Sequence, residues 1–326
     1  MLPVLPPAVT RMGRLPSVEG ASAVDCSVVI VHRNAPHCTV EGCLQACRLA
    51  AEQHSCEVFV VDQGADPLFP DLIKERYPEI LLRNDLSDQG YAVSNNQALL
   101  ESHGRYLLLL NDDVVLSRGA IDRLVEWMEA HPRCGYAGPR LLLMDGQLDR
   151  ACRRSFPTPL ISLFRLTGLS TFFPQSRYFG RYNLGYLSED EATPVEAVVG
   201  ACMLVRRQAA ADVGLLDERY FMYGEDLDWC FRLHAAGWEG WYVPQALAVH
   251  LKRSSSRQRP LRTTYEFYRA MMIFFRRHYA QATPLPVTYI ILLGILFRGG
   301  AALLRAIYEQ CKGHARRSCR RAVGGT

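Results

Sequence analysis

The sequence predicts an α/β protein: a mostly parallel central sheet flanked by helices, followed by a helical C-terminal extension. Three observations carry that prediction. Short apolar, β-branched runs alternate with stretches of helical length, which is the pattern of βαβ units. Two of those runs end on carboxylates, Asp62 and Asp113. Charge is also unevenly divided: residues 1–249 hold 22 basic and 31 acidic side chains, whereas residues 250–326 hold 15 and 2.

Along the chain, residues 1–24 contain Pro3, Pro6, Pro7 and Pro16 and read as a flexible leader with no secretory signal. Residues 26–31 (CSVVIV) read as a strand buried on both faces, and 39–51 as a helix. A second buried strand spans 57–62, followed by a helix at 71–76, strand-like residues 80–82 and a helix at 92–102. The run 105–110 (RYLLLL) enters Asn111-Asp112-Asp113, and Ser117 is placed to cap a helix that continues through Ala130. The rhythm loosens over 138–194 and resumes with a strand at 195–206 that has a glycine at its middle. A helix at 225–237, strands at 241–243 and 246–249, and an aromatic, Arg-studded helix at 264–279 complete the pattern.

Eleven cysteines without a CxxC pair read as reduced thiols in a cytosolic compartment, most of them small core hydrophobes. The first strand is followed by His32-Arg33-Asn34-Ala35-Pro36-His37, which has no glycine, and the chain has no GxxxxGK[ST] loop. Nicotinamide chemistry and P-loop NTP hydrolysis are thereby disfavoured, because both need backbone approach to phosphate at a glycine-rich turn.

What remains is carboxylates at strand ends, where open α/β sheets bind ligands. An acidic pair directly after a leucine run suits Mg²⁺ or Mn²⁺, which take a few carboxylates and complete their shell with substrate phosphates. The plain structural alternative is a turn before the next helix. Farther on, Glu225 and Asp226 open a helix, where acidic side chains complement the dipole by ~0.3–1 kcal/mol. On that helix Leu227, Cys230, Phe231 and His234 are spaced to face the core, with Asp228 and Arg232 paired on the surface. The aromatic approach from Tyr220 to Tyr223 has the character of a sugar-site wall.

Taken in order, VVIVHRN (28–34), VVD (60–62), QGYAVSNN (89–96), LLLNDD (108–113), GACMLVRR (200–207), DERYFMYGEDLDWCFR (217–232) and His250 resemble the inverting family-2 glycosyltransferases of the GT-A fold. Within them the chain is most similar to the rhamnosyltransferase-like branch that builds bacterial surface polysaccharides. The resemblance covers about residues 25–255, with 25–137 as the nucleotide-sugar half and 138–255 as the acceptor half. It implies that Asp62, Gly90, Asn96, Asn111 and Asp112 serve the nucleotide-sugar. It further implies a divalent cation (Mg²⁺ or Mn²⁺) on Asp113 and His250, and Asp226 as the catalytic base. Glu225, Tyr223 and Gly200 fall on its acceptor side. Asn111 stands where the family's metal motif begins with Asp. The branch implies dTDP-rhamnose as donor and a saccharide or polyprenyl-linked acceptor. Rival readings are a sugar-nucleotide-forming nucleotidyltransferase and a non-catalytic sugar- or membrane-binding protein of the same fold.

Residues 256–326 read as a basic extension. Residues 285–297 give 13 uncharged positions, short of the ~20 that span a bilayer. Arg298 with Gly299-Gly300 is expected to interrupt the run, and Arg316, Arg317, Arg320 and Arg321 follow it. Apolar anchors beside clustered cations suit an interfacial element. The expectation is peripheral attachment to the cytoplasmic face of an anionic membrane, without nucleic-acid binding.

Overall fold

Strand β1 (Cys26–His32) lies inside a nine-stranded sheet, wholly buried along nearly its whole length, which is why its run is β-branched on both faces. The computed structural model describes residues 15, 24–33, 35–64, 66–84, 88–252 and 259–323. Apart from Leu15 and Val24, the leader therefore lies outside the described residues, as do Asn34, residues 85–87 and the basic residues 253–258. So do the side chains of Arg316, Arg317, Arg320 and Arg321. The chain divides into two units, residues 1–221 with 225–255, and residues 222–224 with 256–326.

In the first unit, helix α1 (His37–Ala50), β2 (Cys56–Asp62), α2 (Phe69–Arg76), β3 (Leu81–Asn84), α3 (Tyr91–Glu101) and β4 (Tyr106–Asn111) follow in turn. Strands β3, β2, β1 and β4 are adjacent and parallel, as expected of βαβ units. Register brings their carboxyl ends level: His32 lies opposite Asp62, and Val31 opposite Asn111. Beyond β4 the sheet continues through β8 (Cys202–Arg206), β6 (Cys134–Leu143), β9 (Glu239–His250) and β5 (Val114–Leu116), with β7 (Thr193–Pro194) beside β9. Strand β8 is antiparallel to β4, and β9 is parallel to β6 but antiparallel to β5. These pairings place the Gly200-Ala201 turn and His250 at the same edge as Asn111. Helices α4 (Ala120–Ala130), α5 (Pro159–Leu166), α6 (Leu169–Phe172), α7 (Arg207–Val213) and α8 (Glu225–Ala235) complete this unit.

Several expectations are corrected. Helix α4 begins at Ala120 with left-handed Gly119 as its cap, not at Ser117, whose carbonyl instead accepts from the Ala120 N–H. Only 202–206 of the stretch 195–206 is strand. Residues 195–197 pair locally instead, Val195 N–H with the Gly240 carbonyl and Ala197 with Arg154, and the chain then turns at Gly200. The apolar run there reflects burial rather than extension. The two short strands near 241–249 are one, because residues 244–246 bulge out between paired Val243 and Leu247.

Helix α8 is rotated from its expected setting. Glu225, Asp226, Asp228, Trp229, Cys230, Arg232 and Leu233 are buried, while His234 is exposed and Leu227 and Phe231 are half-buried. The Asp228–Arg232 pair is therefore internal, at 2.7 Å. The Arg232 guanidinium also donates to the carbonyls of Val213 and Leu215, fixing the loop that leads toward α8.

The second unit is built of α9 (Pro260–His278) and α10 (Leu285–Val323). Helix α10 does not break at Arg298-Gly299-Gly300. A side chain at Gly299 would come within 3.1 Å of the Tyr268 ring, so this glycine allows close approach of α9 instead of ending the helix. Residues Leu285–Lys312 form 28 continuous helical positions, whose most apolar 18-residue window has mean hydropathy 2.0 and is only 11% buried. That stretch is long and apolar enough to cross a membrane, in contrast to the 13-residue estimate.

Candidate active site

Strand β2 ends by delivering Asp62, fully buried, to the level edge of the parallel strands. Its Oδ1 accepts from the Gly64 N–H at 3.1 Å, whereas its Oδ2 has no partner among the described residues. Burial pushes this carboxyl above its ordinary range. An unsatisfied buried carboxylate oxygen is costly unless a ligand supplies a donor. Beside it His32, at the end of β1, stacks on Phe69 at 3.9 Å and meets Asp112 Oδ2 through Nδ1 at 3.0 Å. Asp112 is likewise pushed up by burial, against the pull of His32.

The second group joins three strand ends. Asp113 Oδ1 lies 3.3 Å from His250 Nε2, and His250 Nδ1 lies 3.2 Å from Asp149 Oδ2. Lys252 Nζ reaches the same Asp149 oxygen at 3.1 Å. Burial opposes charge on His250, but the two carboxylates overcome it and raise its pKa to about 9. Asp149 is drawn down to about 2 despite its burial, by His250, the Ala151 N–H and Lys252. The Oδ2 of Asp113 is buried and unpartnered. Among the described residues no group of three His, Cys, Asp or Glu side chains could hold a metal ion. Asp113 and His250 would form a two-donor set, one oxygen and one imidazole nitrogen, only if His250, protonated up to about pH 9, gave up its Nε2 proton, and a cation there would take its other ligands from substrate or water.

The third group surrounds Asp226 in the first turn of α8. Its Oδ2 accepts from the buried Arg154 guanidinium at 2.6 Å and from the Gly200 N–H at 3.0 Å, and its Oδ1 from the Leu227 N–H at 2.7 Å. An ionised carboxylate has about four lone-pair positions. Among the described residues three are filled, which leaves one, on Oδ1. Arg154 is itself held by the Val198 carbonyl at 2.7 Å. Neighbouring Glu225 has an unpartnered buried Oε2, and burial together with the Asp226 charge raises its pKa to about 8.

That shift has a stability consequence. Between the ordinary 4.5 and about 8, native Glu225 holds a proton that the unfolded chain has released. Stability therefore falls as pH rises through this interval. Glu225→Gln, neutral throughout, is expected to flatten that decline in urea unfolding midpoints measured across the same pH range.

The other site residues from the sequence take varied places. Gly90, at φ +95°, lies so close to Phe221 that an added Cβ would sit 2.5 Å from its carbonyl oxygen. The next residue donates its N–H to that carbonyl at 2.8 Å. Asn96 is engaged within the fold: its amide nitrogen donates to the Leu216 carbonyl and Glu218, and its oxygen accepts from the Leu216 N–H. Asn111 joins β4 to the Gly200-Ala201 turn through its N–H on the Ala201 carbonyl at 2.9 Å. Gly200 serves twice, since its carbonyl also accepts from the Tyr91 hydroxyl at 3.0 Å. Tyr223 belongs to the second unit, where it lies edge-on to Phe267 at 6.0 Å. Asp149 has no sequence signal as a site residue, and Arg154, in a segment 153–157 that the sequence assigns to the acceptor side, has none that pairs it with Asp226. Asp149 reaches His250 only because β6 and β9 run parallel, and Arg154 lies 72 positions from its partner.

A mixed α/β sheet with level carboxylates at one edge and a buried acidic pair on a following helix has the architecture of the GT-A fold. Residues 26–266 match the family described as "Glycosyltransferase like family 2". The chain belongs to that family and is of its rhamnosyltransferase-like type. It is 31% identical over 258 residues to the N-acetylglucosaminyl-diphospho-decaprenol L-rhamnosyltransferase of Mycobacterium tuberculosis, covering 76% of this chain and 82% of that relative. It is also 29% identical over 157 residues to the rhamnosyltransferase WbbL of Escherichia coli, covering 47% and 54%. Among solved structures, the mannosyltransferase PcManGT of Pyrobaculum calidifontis, in complex with GDP-Man and Mn²⁺, aligns with a TM-score of 0.53. That alignment has 17% identity and covers 96% of this chain and 82% of the other. GalNAc-T7 with UDP, GalNAc and Mn²⁺ aligns with a TM-score of 0.52 and 15% identity, covering 71% and 44%. The protein is a glycosyltransferase acting in glycan biosynthesis.

Proposed function

We propose that the chain transfers rhamnose from dTDP-rhamnose, with inversion, to a lipid-linked saccharide at the cytoplasmic face of a membrane. The observation that carries the reaction type is the single open lone-pair position on buried Asp226. There it accepts the proton of the acceptor hydroxyl while that oxygen attacks the anomeric carbon and the nucleoside diphosphate leaves. A base so positioned contributes ~10²–10⁴-fold. Asp62, through its unpartnered Oδ2, contacts the nucleoside, with Gly90, Asn96, Asn111 and Asp112 framing the donor side. Asp113 and His250 hold a divalent cation, which when bound offsets the charge of the departing diphosphate. Glu225 and Gly200 serve the acceptor side. The sugar and the lipid-linked acceptor follow the activity of the mycobacterial relative, dTDP as the carrier follows the resemblance to the rhamnosyltransferase branch, and the exposed apolar length of α10 supports membrane attachment.

Release of nucleoside diphosphate from a panel of sugar nucleotides, with a detergent-solubilised polyprenyl-diphosphate sugar as acceptor, tests this reading. Release from dTDP-rhamnose with an inverted linkage in the product supports it. Formation of a sugar nucleotide and pyrophosphate from a nucleoside triphosphate and a sugar phosphate would mark a nucleotidyltransferase instead, and no turnover with any donor would mark a binding protein.

Arg154 sets the direction of the base. Lysine keeps the charge but loses the planar fork that grips Asp226 and the Val198 carbonyl together. Arg154→Lys is expected to lower kcat ~10²-fold, as a displacement of about 1 Å at a reacting group does, with donor KM unchanged. Steady-state kinetics at saturating acceptor checks it.

A further inference from the structure

The segment from 150 to 187 contains six arginines and no Asp or Glu, and the catalytic chemistry uses only its buried members. Its outer part carries the largest apolar exposure of the first unit. Leu160 and Leu163, one turn apart on α5, are 59% and 52% exposed, and Phe172, Phe173 and Tyr178 are 78%, 54% and 79% exposed. Phe179 joins the two halves of this surface, edge-on to Phe164 at 4.9 Å and 5.7 Å from Phe173. Around it the Arg165 guanidinium lies over Tyr182 at 4.1 Å, and that of Arg177 over Tyr186 at 5.9 Å. Neither arginine has a carboxylate partner among the described residues.

Bulky aromatics in water, ringed by unneutralised guanidinium groups, match the headgroup level of an anionic bilayer. Amphipathic rings and long cationic side chains both find one apolar and one polar neighbour there. A second copy of the chain fits less well, since a two-fold contact through this face would set arginines against arginines. We propose that the α5–α6 surface is a membrane-interface patch, with Phe172, Phe173 and Tyr178 in the headgroup region and Arg165 and Arg177 on lipid phosphates. The proposal rests on the reading above that the acceptor is lipid-linked, and adds a lipid contact made by the catalytic unit itself.

The test uses the full chain carrying Phe172→Trp, an exposed position, with wild type as the background for the four native tryptophans. Vesicles of phosphatidylcholine with phosphatidylglycerol, brominated on their acyl chains, quench indole that enters the interface. Emission from the introduced indole is expected to fall at least about twofold on these vesicles and much less on pure phosphatidylcholine. In that background Arg165→Gln with Arg177→Gln is expected to weaken the partitioning seen through the same indole by about 10- to 30-fold, near fivefold per cation. An unquenched indole on a chain that sediments with the vesicles, or a chain that never sediments with them, would overturn the proposal. So would shielding of the indole that depends on protein concentration without lipid, which identifies a second copy as the occupant. Nucleoside diphosphate release to the detergent-solubilised acceptor, measured in parallel, separates the two readings. Turnover without quenching removes the patch alone, and quenching without turnover removes the transferase reading alone.

Discussion

Asp226→Asn is expected to lower kcat by ~10²–10⁴ while leaving donor affinity within about twofold of wild type. The substitution is nearly isosteric, and one amide oxygen still accepts from the Gly200 N–H. What disappears is the basic oxygen with its open lone-pair position. Glu225 is a poor substitute: the variant removes the Asp226 charge that helps to raise its pKa, but burial, the larger cause, still disfavours its ionised form. Calorimetric titration with the nucleoside diphosphate measures donor affinity, and single-turnover transfer measures the chemical step. A variant that turns over normally would remove Asp226 from the role of base. Thermal melts accompany both measurements, because the Asn side chain turns an amide or a neutral oxygen toward buried Arg154.

The second large effect is on donor binding. Asp113→Ala is expected to weaken donor affinity by about 10–100-fold in the presence of Mn²⁺, the scale on which ligand-sphere changes act. With chelator present, variant and wild type are expected to bind the donor alike. The contrast follows from the site: Asp113 supplies an unpartnered buried Oδ2, and the adjacent Oδ1 faces His250. Removing the carboxylate leaves His250 with Asp149 alone and takes away the acidic half of the two-donor set. Equal Mn²⁺ enhancement in both proteins would place the cation elsewhere.

The parallel half of the fold was legible because residues buried on two faces must be apolar and β-branched, and strand ends then announce themselves by a carboxylate. Asp62, Asp112 and Asp113 could be read in that way. The setting of α8 could not. Apolar spacing assigns charged residues to solvent, yet here the internal face of the helix includes Asp228 and Arg232, which satisfy each other and a loop. The partners of Asp149 and Arg154 were invisible for a related reason, since they are fixed by sheet pairing and loop return across long separations. Helix α10 was underestimated because glycine was taken as a terminator. In this hairpin Gly299 accommodates Tyr268 within an unbroken helix.

One peptide constrains any attempt to recombine this enzyme with its relatives. Gly200 gives its N–H to Asp226 and takes the Tyr91 hydroxyl on its carbonyl, so helices α3 and α8 hang on a single residue. A chimera that grafts another relative's sequence after β4 splits this residue from its tyrosine. The segments on either side of β4 are therefore not freely interchangeable parts. Position 91 has to travel with the segment that carries Gly200, even though 109 residues separate them in the chain.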